Sequence, residues 1–172
     1  MQNFFSYRIT VDKLPAAEQH YKLRADAEDC EKIREILQIP GVDAFSADIS
    51  LKYNLKEHLL KLWGKAEARL ELESVISLEK FKKNYAADFE LVYDTQATLK
   101  SQKAEEEEMS IEDDIPDVVI NGQIDLADVA IEQIALQMED HPRREGEVFC
   151  FKSEFDASER PTNPFEVLKK LK

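Results

Sequence analysis

The sequence predicts an α+β protein with an antiparallel or mixed sheet of about six strands, two main helices and a mobile acidic linker. Three observations indicate this class. Segments between Phe45 and Tyr93 alternate apolar and polar side chains, which is the period of half-buried strands. Segments 26–39 and 125–140 repeat apolar side chains at helical spacing. The connections between the strand segments are short, which favours a meander that can be curled.

The N-terminal part is expected to form two strands and a helix. Residues 5–11 and 21–25 are the two short strand candidates. The helix is predicted over 26–39, because Asp26 suits the N-cap and Asp29 follows three residues later.

The middle of the chain is expected to supply most of the sheet. Segment 66–72 has the most regular alternation of apolar and charged residues, which predicts one face on the core and one in water. The strands predicted in this region are 45–53, 60–64, 66–72 and 85–93.

Residues 96–118 are predicted to be a mobile acidic linker within a single domain, 1–172. Positions 105–117 hold eight acidic residues and no basic one, so this stretch has too little apolar surface to offset the entropy of ordering it. The whole chain has a formal net charge of −13. With those eight residues set aside, 28 acidic residues face 23 basic ones, a net charge of −5. A basic patch on the rest of the chain is therefore compatible with the composition.

Residues 125–140 form the strongest helix candidate, with Asp125 placed to cap it. A turn through His141-Pro142 follows the helix. Residues 147–155 alternate loosely and are predicted to form a last strand.

The final segment, 163–172, is predicted to be a helical tail. Asn163 suits the N-cap and Pro164 the first helical position, and the closing lysines suit the negative end of the helix dipole. Such a short helix is not stable alone in water. Its apolar side chains, Phe165, Leu168 and Leu171, are therefore expected to dock on the body or on a partner.

No residue pattern indicates catalysis or a bound cofactor or metal. The three histidines are scattered, and the four glycines form no phosphate-binding loop. Cys30 and Cys150 lack metal-ligand spacing and fit a reducing cytosol, with Cys30 interpreted as a core residue. No segment is long and apolar enough to span a membrane, and the N-terminus lacks signal-peptide features. We therefore expect a cytoplasmic protein that is not an enzyme and takes no small-molecule substrate.

Basic residues offer candidate contacts with RNA or a partner protein. Interleaved with aromatic side chains, they have the composition of surfaces that bind phosphates and bases, although ordinary surface charge is the simpler alternative. The candidates are Lys80, Lys82, Lys83, Arg143, Arg144, Asn163, Pro164, Phe165, Leu168, Lys169, Lys170, Leu171 and Lys172.

Three segments together resemble the YceD family of large ribosomal RNA subunit accumulation proteins. Segment 163–172 is similar to the family's closing Asn-Pro-Phe-x-x-Leu-x-x-Leu-Lys. The helix opened by Asp125-Leu126 and the turn ending at Arg143 resemble the family's helix that begins with Asp-Leu and the x-Pro-Arg turn that follows it. Segment 64–81 resembles the family's glycine, strand and Cys-x-x-x-Leu-Glu-x-Phe, with Ser74 in place of the cysteine. Members with further cysteines after the long helix suggest a metal site, but the corresponding position here reads His141-Pro142-Arg143-Arg144, without cysteines, so no zinc is expected.

The resemblance implies a bacterial, non-enzymatic ribosome-biogenesis factor that supports accumulation or processing of large-subunit (23S) ribosomal RNA. Its expected partners are pre-ribosomal RNA, a large-subunit ribosomal protein, or both. One alternative is an acidic adaptor that binds only proteins through 105–117. A second is a hydrolase or nuclease that acts on RNA through surface carboxylates.

Overall fold

The structure is a computed structural model that describes residues 5–15, 17–96 and 116–149. The strands are β1 (Arg8–Thr10), β2 (Gln19–Arg24), β3 (Gly41–Asn54), β4 (Leu59–Glu73), β5 (Lys80–Asp94), β6 (Asp117–Val118) and β7 (Gln123–Asp125), and the α-helices are α1 (Ala27–Leu37) and α2 (Leu126–Gln137). Short 3-10 turns lie at Val11–Lys13 and Ile120–Gly122.

The strands form a mixed five-stranded sheet and a small two-stranded one. The larger sheet has the order β2-β3-β4-β5-β6 and is antiparallel except for the parallel pairing of β5 with β6. The smaller sheet pairs β1 with β7. These elements confirm the predicted α+β class, with a mixed sheet and two α-helices. The sheet is not closed into a barrel.

The core lies on one face of the larger sheet. Phe45, Ile49 and Leu51 of β3 and Leu62 and Leu70 of β4 are buried there, because alternate residues of a strand point to the same face. Both helices cover this face, α1 against β3 and α2 against β4 and β5. Helices placed on one face of an antiparallel sheet leave its other face to water.

Both helix starts are capped as the sequence predicts. The Asp26 carboxylate accepts a hydrogen bond from the Asp29 backbone N–H at 2.9 Å, and the Asp29 side chain accepts from the Asp26 backbone N–H. The Asp125 carboxylate accepts from the Ala127 backbone N–H at 3.1 Å and from the Tyr7 backbone N–H at 2.7 Å. The Asp125 side chain therefore caps α2 and also fixes the N-terminal segment. Cys30 is buried, as expected.

Strand β4 joins two segments that the sequence separates, 60–64 and 66–72. The residue between the two segments must be a glycine for β4 to pair with β3 here. A Cβ atom at position 64 would lie 2.3 Å from the Asp48 backbone oxygen. Glycine allows the backbone of β3 to approach β4 closely at this point.

Three predicted segments depart most from the structure. Only Arg8–Thr10 of segment 5–11 forms a strand, because its partner is the short β7, which the sequence pattern does not reveal. Asp117–Val118, expected to end the linker, forms β6, while 97–115 lies outside the described residues. Glu147–Phe149, the described part of segment 147–155, is not a strand.

Candidate functional site

The face of the larger sheet that carries no helix is lined by charged residues around Trp63. We call this surface the open face. It is formed by Lys22, Arg24, Asp48, Lys52, Lys61, Trp63, Lys65, Glu67, Arg69, Glu71, Lys80, Lys82, Asp88 and Glu90. Opposite charges alternate across the strands, and most of the cations have a carboxylate neighbour, such as Lys65 with Glu67 at 2.6 Å. Most of the positive charge on the open face is therefore paired with neighbouring carboxylates.

The candidate lysines at 80, 82 and 83 do not form one patch. The sequence places them between two strands, but they belong to β5 itself. Strand alternation puts Lys80 and Lys82 on the open face and Lys83 on the opposite face, beside Tyr85.

Each of these lysines is paired with a carboxylate. Lys80 lies 3.4 Å from Glu71, and Lys82 lies 2.7 Å from Asp43. Because neighbouring carboxylates already neutralise these ammonium groups, the two lysines present little net positive charge to a polyanion.

Lys83 belongs to a structural cluster at the end of α2. Its ammonium group pairs with Glu139 and lies 5.4 Å from the centre of the Tyr85 ring. The Tyr85 hydroxyl donates to the other Glu139 oxygen at 2.6 Å. Burial, with the nearby carboxylate, raises the pKa of Tyr85, and the hydrogen bonds from Lys83 and Tyr85 lower the pKa of Glu139. The cluster fastens the end of α2 to β5.

Arg144 also has a structural role. Its guanidinium pairs with Glu79, before β5, and its Nε lies 3.6 Å from Glu147. Arg143 is exposed and has no ion-pair partner among the residues that the structure describes. Of the two candidate arginines, only Arg143 is free for an external anion.

A polar cluster joins the turn between β4 and β5 to the loop after α2. Ser74 is fully buried, and its hydroxyl donates to Glu147. The Ser77 hydroxyl donates to the other Glu147 oxygen at 2.6 Å, and the Val75 backbone N–H donates to the Pro142 carbonyl at 3.0 Å. We call Ser74, Ser77 and Glu147 the clasp. The hydrogen bonds from the two serines hold the pKa of Glu147 below its ordinary value.

Sequence reasoning missed the clasp, although it singled out Ser74 as a departure from the family pattern. Ser74 and Glu147 are 73 positions apart. No local spacing connects them, and a buried serine in a turn has no sequence signal of its own.

A second feature missed from the sequence is the end of the hairpin between β3 and β4. A depression of about 620 Å³ lies there, and the Leu55 side chain beside it is 58% exposed. Nine residues line it, and we define the hairpin tip as the six of them that are basic or aliphatic: Lys52, Leu55, Lys56, Leu59, Lys61 and Val92; Tyr53, Asn54 and Glu57 complete the lining. These residues come from three segments of the chain, so their basic character is not visible as a run.

The hairpin tip has cations without carboxylate partners. Lys52 and Lys56 are exposed and form no ion pair within the described part of the chain. Lys52 also lies directly across from Lys61 in the β3–β4 register. Two like charges in a cross-strand pair repel each other.

The C-terminal candidates, Asn163 to Lys172, lie outside the described residues. Among the residues described, no three His, Cys, Asp or Glu side chains are grouped to hold a metal ion. In the same residues, no helix is long and apolar enough to cross a membrane.

A family model described as Large ribosomal RNA subunit accumulation protein YceD matches residues 62–172, which is more than half of the chain. The chain belongs to the YceD family. The YceD match begins within β4 and takes in β5, α2 and all three residues of the clasp. It confirms the resemblance drawn from segments 64–81, 125–143 and 163–172. No curated protein and no solved structure matches the chain.

Proposed function

We propose that this YceD-family chain is a non-enzymatic assembly factor that supports accumulation or processing of 23S ribosomal RNA in the cytoplasm. It acts by binding pre-ribosomal RNA, a large-subunit ribosomal protein, or both. The family match over residues 62–172 is the observation that carries the proposal, because the family description names large ribosomal RNA subunit accumulation.

The chemistry of the described residues supports a binding role. The carboxylates whose pKa values are lowered have structural neighbours: Glu139 contacts Lys83 and Tyr85, and Glu147 contacts the two clasp serines. Burial and the neighbouring Asp125 raise the pKa of Asp128 in the first turn of α2. These shifts follow from packing and capping, so they do not require a reaction to explain them.

The test compares ribosomal subunits in a host strain with and without the gene for this chain. Sucrose-gradient profiles and primer extension across the ends of 23S RNA are measured in both strains. We expect the deletion to lower the ratio of large to small subunits, and a plasmid copy to restore it. Equal profiles in the two strains, with equal 23S RNA levels, would contradict the proposal.

The adaptor alternative is favoured by the concentration of acidic residues at 105–117. In that case the chain would bind basic ribosomal proteins with strong salt dependence and would give no RNA crosslink. Crosslinking in cells, followed by mapping of the crosslinked peptides, distinguishes binding to proteins alone from binding to RNA. Metal-dependent cleavage of precursor RNA by the purified chain would instead support the hydrolase alternative.

A further inference from the structure

We propose that the hairpin tip, together with Trp63, is a binding surface for single-stranded RNA. The lysines contact backbone phosphates, and the Trp63 indole stacks on a base. This inference rests on the proposed function, since it names the site and ligand through which the chain would act on ribosomal RNA.

At the hairpin tip two neighbouring lysines lack a carboxylate partner, whereas most cations elsewhere on the open face have one. Elsewhere on that face, cations such as Lys82 and Lys65 are neutralised by carboxylates within 2.7 Å. At the tip, Lys52 and Lys56 have no such partner among the described residues. An external anion is therefore the group that can neutralise them.

The acidic residues nearest the hairpin tip are already engaged. Glu57 accepts a hydrogen bond from the Asn54 side chain at 2.6 Å, and Glu90 pairs with Lys61 at 2.5 Å. Lys61 is neutralised by this pairing, so Lys52 and Lys56 are the two lysines of the tip that lack a carboxylate partner within the described residues. A phosphate beside Lys52 and Lys56 would supply the missing negative charge, which favours binding of a polyanion at this point.

Trp63 adds an aromatic surface next to the lysines. It lies two residues beyond Lys61 on the same face of β4, which is about 7 Å along the strand. Its cross-strand neighbours are Ser50 and Glu90, and its side chain is only half-buried. No helix within the described part of the chain covers this face, so the accessible part of the Trp63 ring faces outward.

The combination of features favours single-stranded RNA over other polyanions. Unpaired bases stack on exposed aromatic rings while lysines track the phosphates. In a duplex the bases are stacked inside, so an indole cannot reach their faces. An acidic protein surface would use the lysines but would leave Trp63 without a stacking partner. The exposed Leu55 side chain supplies apolar contact for a base or sugar.

Trp63 provides a direct measurement, because it is the single tryptophan in the chain. The full-length protein is titrated with a 12-nucleotide oligouridylate at several salt concentrations, and tryptophan fluorescence is recorded. We expect quenching that saturates, with weaker binding at higher salt. Replacing the RNA by a duplex of equal length should give little quenching.

The variant Lys52→Ala/Lys56→Ala tests the lysines. We expect about tenfold weaker binding and a slope of log affinity against log salt reduced by about 1.4, as for two lost single-strand phosphate contacts. The matched control is Lys22→Ala/Arg24→Ala, which removes two cations from β2 on the same face, away from the tip. Circular dichroism establishes that both variants are folded. Trp63→Ala, measured by anisotropy of labelled RNA, should also weaken binding.

Three results would overturn the inference. One is absence of quenching by oligouridylate. Another is an equal loss of affinity in the β2 control variant, which would indicate a diffuse charge effect. The third is equally tight binding of polyglutamate in competition, which would indicate an acidic protein partner.

The same variants separate this inference from the proposed function. If Lys52→Ala/Lys56→Ala restores subunit profiles in the deletion strain as well as the wild-type chain does, the hairpin tip is not the RNA site, and the assembly role stands. If the wild-type chain itself has no effect on the profiles, the assembly role fails, whatever the titration shows.

Discussion

The Ser74 hydroxyl is the buried end of the clasp that joins the β4–β5 turn to the loop after α2. Besides donating to Glu147, it accepts from the Ile76 backbone N–H at 3.2 Å. A buried hydroxyl that both donates and accepts is costly to remove, because its partners then lack a hydrogen bond.

Ser74→Ala should therefore lower the free energy of unfolding by about 1–3 kcal/mol. The measurement is chemical denaturation of the full chain. Ser46→Ala is the control, because Ser46 lies on the open face and forms no side-chain hydrogen bond within the described residues. Equal stability of the Ser74 variant and the wild type would mean that the clasp adds nothing to the fold.

Glu139 supports a prediction about pH. Its pKa is lowered in the folded protein by hydrogen bonds from Lys83 and Tyr85. A carboxylate with a depressed folded pKa contributes stability that is fully present above its unfolded pKa, near 4.5. That contribution is lost as the pH falls through the lower folded value.

Glu139→Gln should accordingly cost more stability at pH 7 than at pH 3. Melting temperatures of variant and wild type, measured between these pH values, should converge in acid. Glu145→Gln, in the exposed loop that follows, is the matched control. It should change the melting temperature little at every pH. A difference in melting temperature between the Glu139 variant and the wild type that stays the same at every pH would show that the effect is not ionic.

At the scale of the elements, the long antiparallel hairpins dominate the structure. Strands β4 and β5 pair over 15 residues each, and β3 pairs along nearly the whole of β4. Gly64 lies within these pairings, opposite Ile49 on one side and Phe89 on the other.

Gly64→Ala should destabilise the fold by about 3 kcal/mol, because the added methyl group meets backbone atoms of β3 that cannot rotate away. Gly41→Ala is the control. A Cβ at Gly41 meets only the flexible Glu71 side chain, at 3.1 Å, so the cost should be much smaller. Thermal unfolding of both variants measures the difference. A Gly64 variant as stable as the Gly41 variant would rule out close strand approach as the reason for glycine.

The elements that the sequence predicted best are those whose signal is local. The alternation in 45–53 and 66–72 marks strands, and the Asp26 and Asp125 caps mark helix starts. The pairing of β1 with β7 was not predicted, because short strands carry little pattern and their partners are distant in sequence.

The candidate site was predicted less well than the fold. Lys80, Lys82 and Lys83 were chosen as neighbours in sequence, but alternation splits them between two faces and carboxylates from other elements neutralise them. The hairpin tip was missed because its lysines are separated in sequence. Lys52 and Lys61 become neighbours only through strand pairing.

At the scale of the whole molecule, the C-terminal tail is a prediction from sequence that the described residues do not test. Deleting 163–172 should lower large-subunit ribosomal RNA in a strain that carries only the shortened chain. Steady-state 23S RNA and subunit profiles are the measurement.

Two sets of substitutions separate apolar docking from charge in the tail. Phe165→Ala, Leu168→Ala and Leu171→Ala together should reproduce the deletion if the tail docks by its apolar side chains. Lys169→Ala, Lys170→Ala and Lys172→Ala together should reproduce it if the charge contacts RNA. Unchanged profiles in the deletion strain would remove the tail from the proposed mechanism.

The pairing of β1 with β7, in which Arg8 lies opposite Asp125, affects the order in which the chain can fold during its synthesis. A ribosome makes the β3–β5 meander before it makes α2, because the meander ends at Asp94 and α2 begins at Leu126. Until residues 126–137 emerge, the apolar face of the meander has no helix α2 to cover it. β1 and α2 can therefore close over the core only after residue 137 has been synthesised.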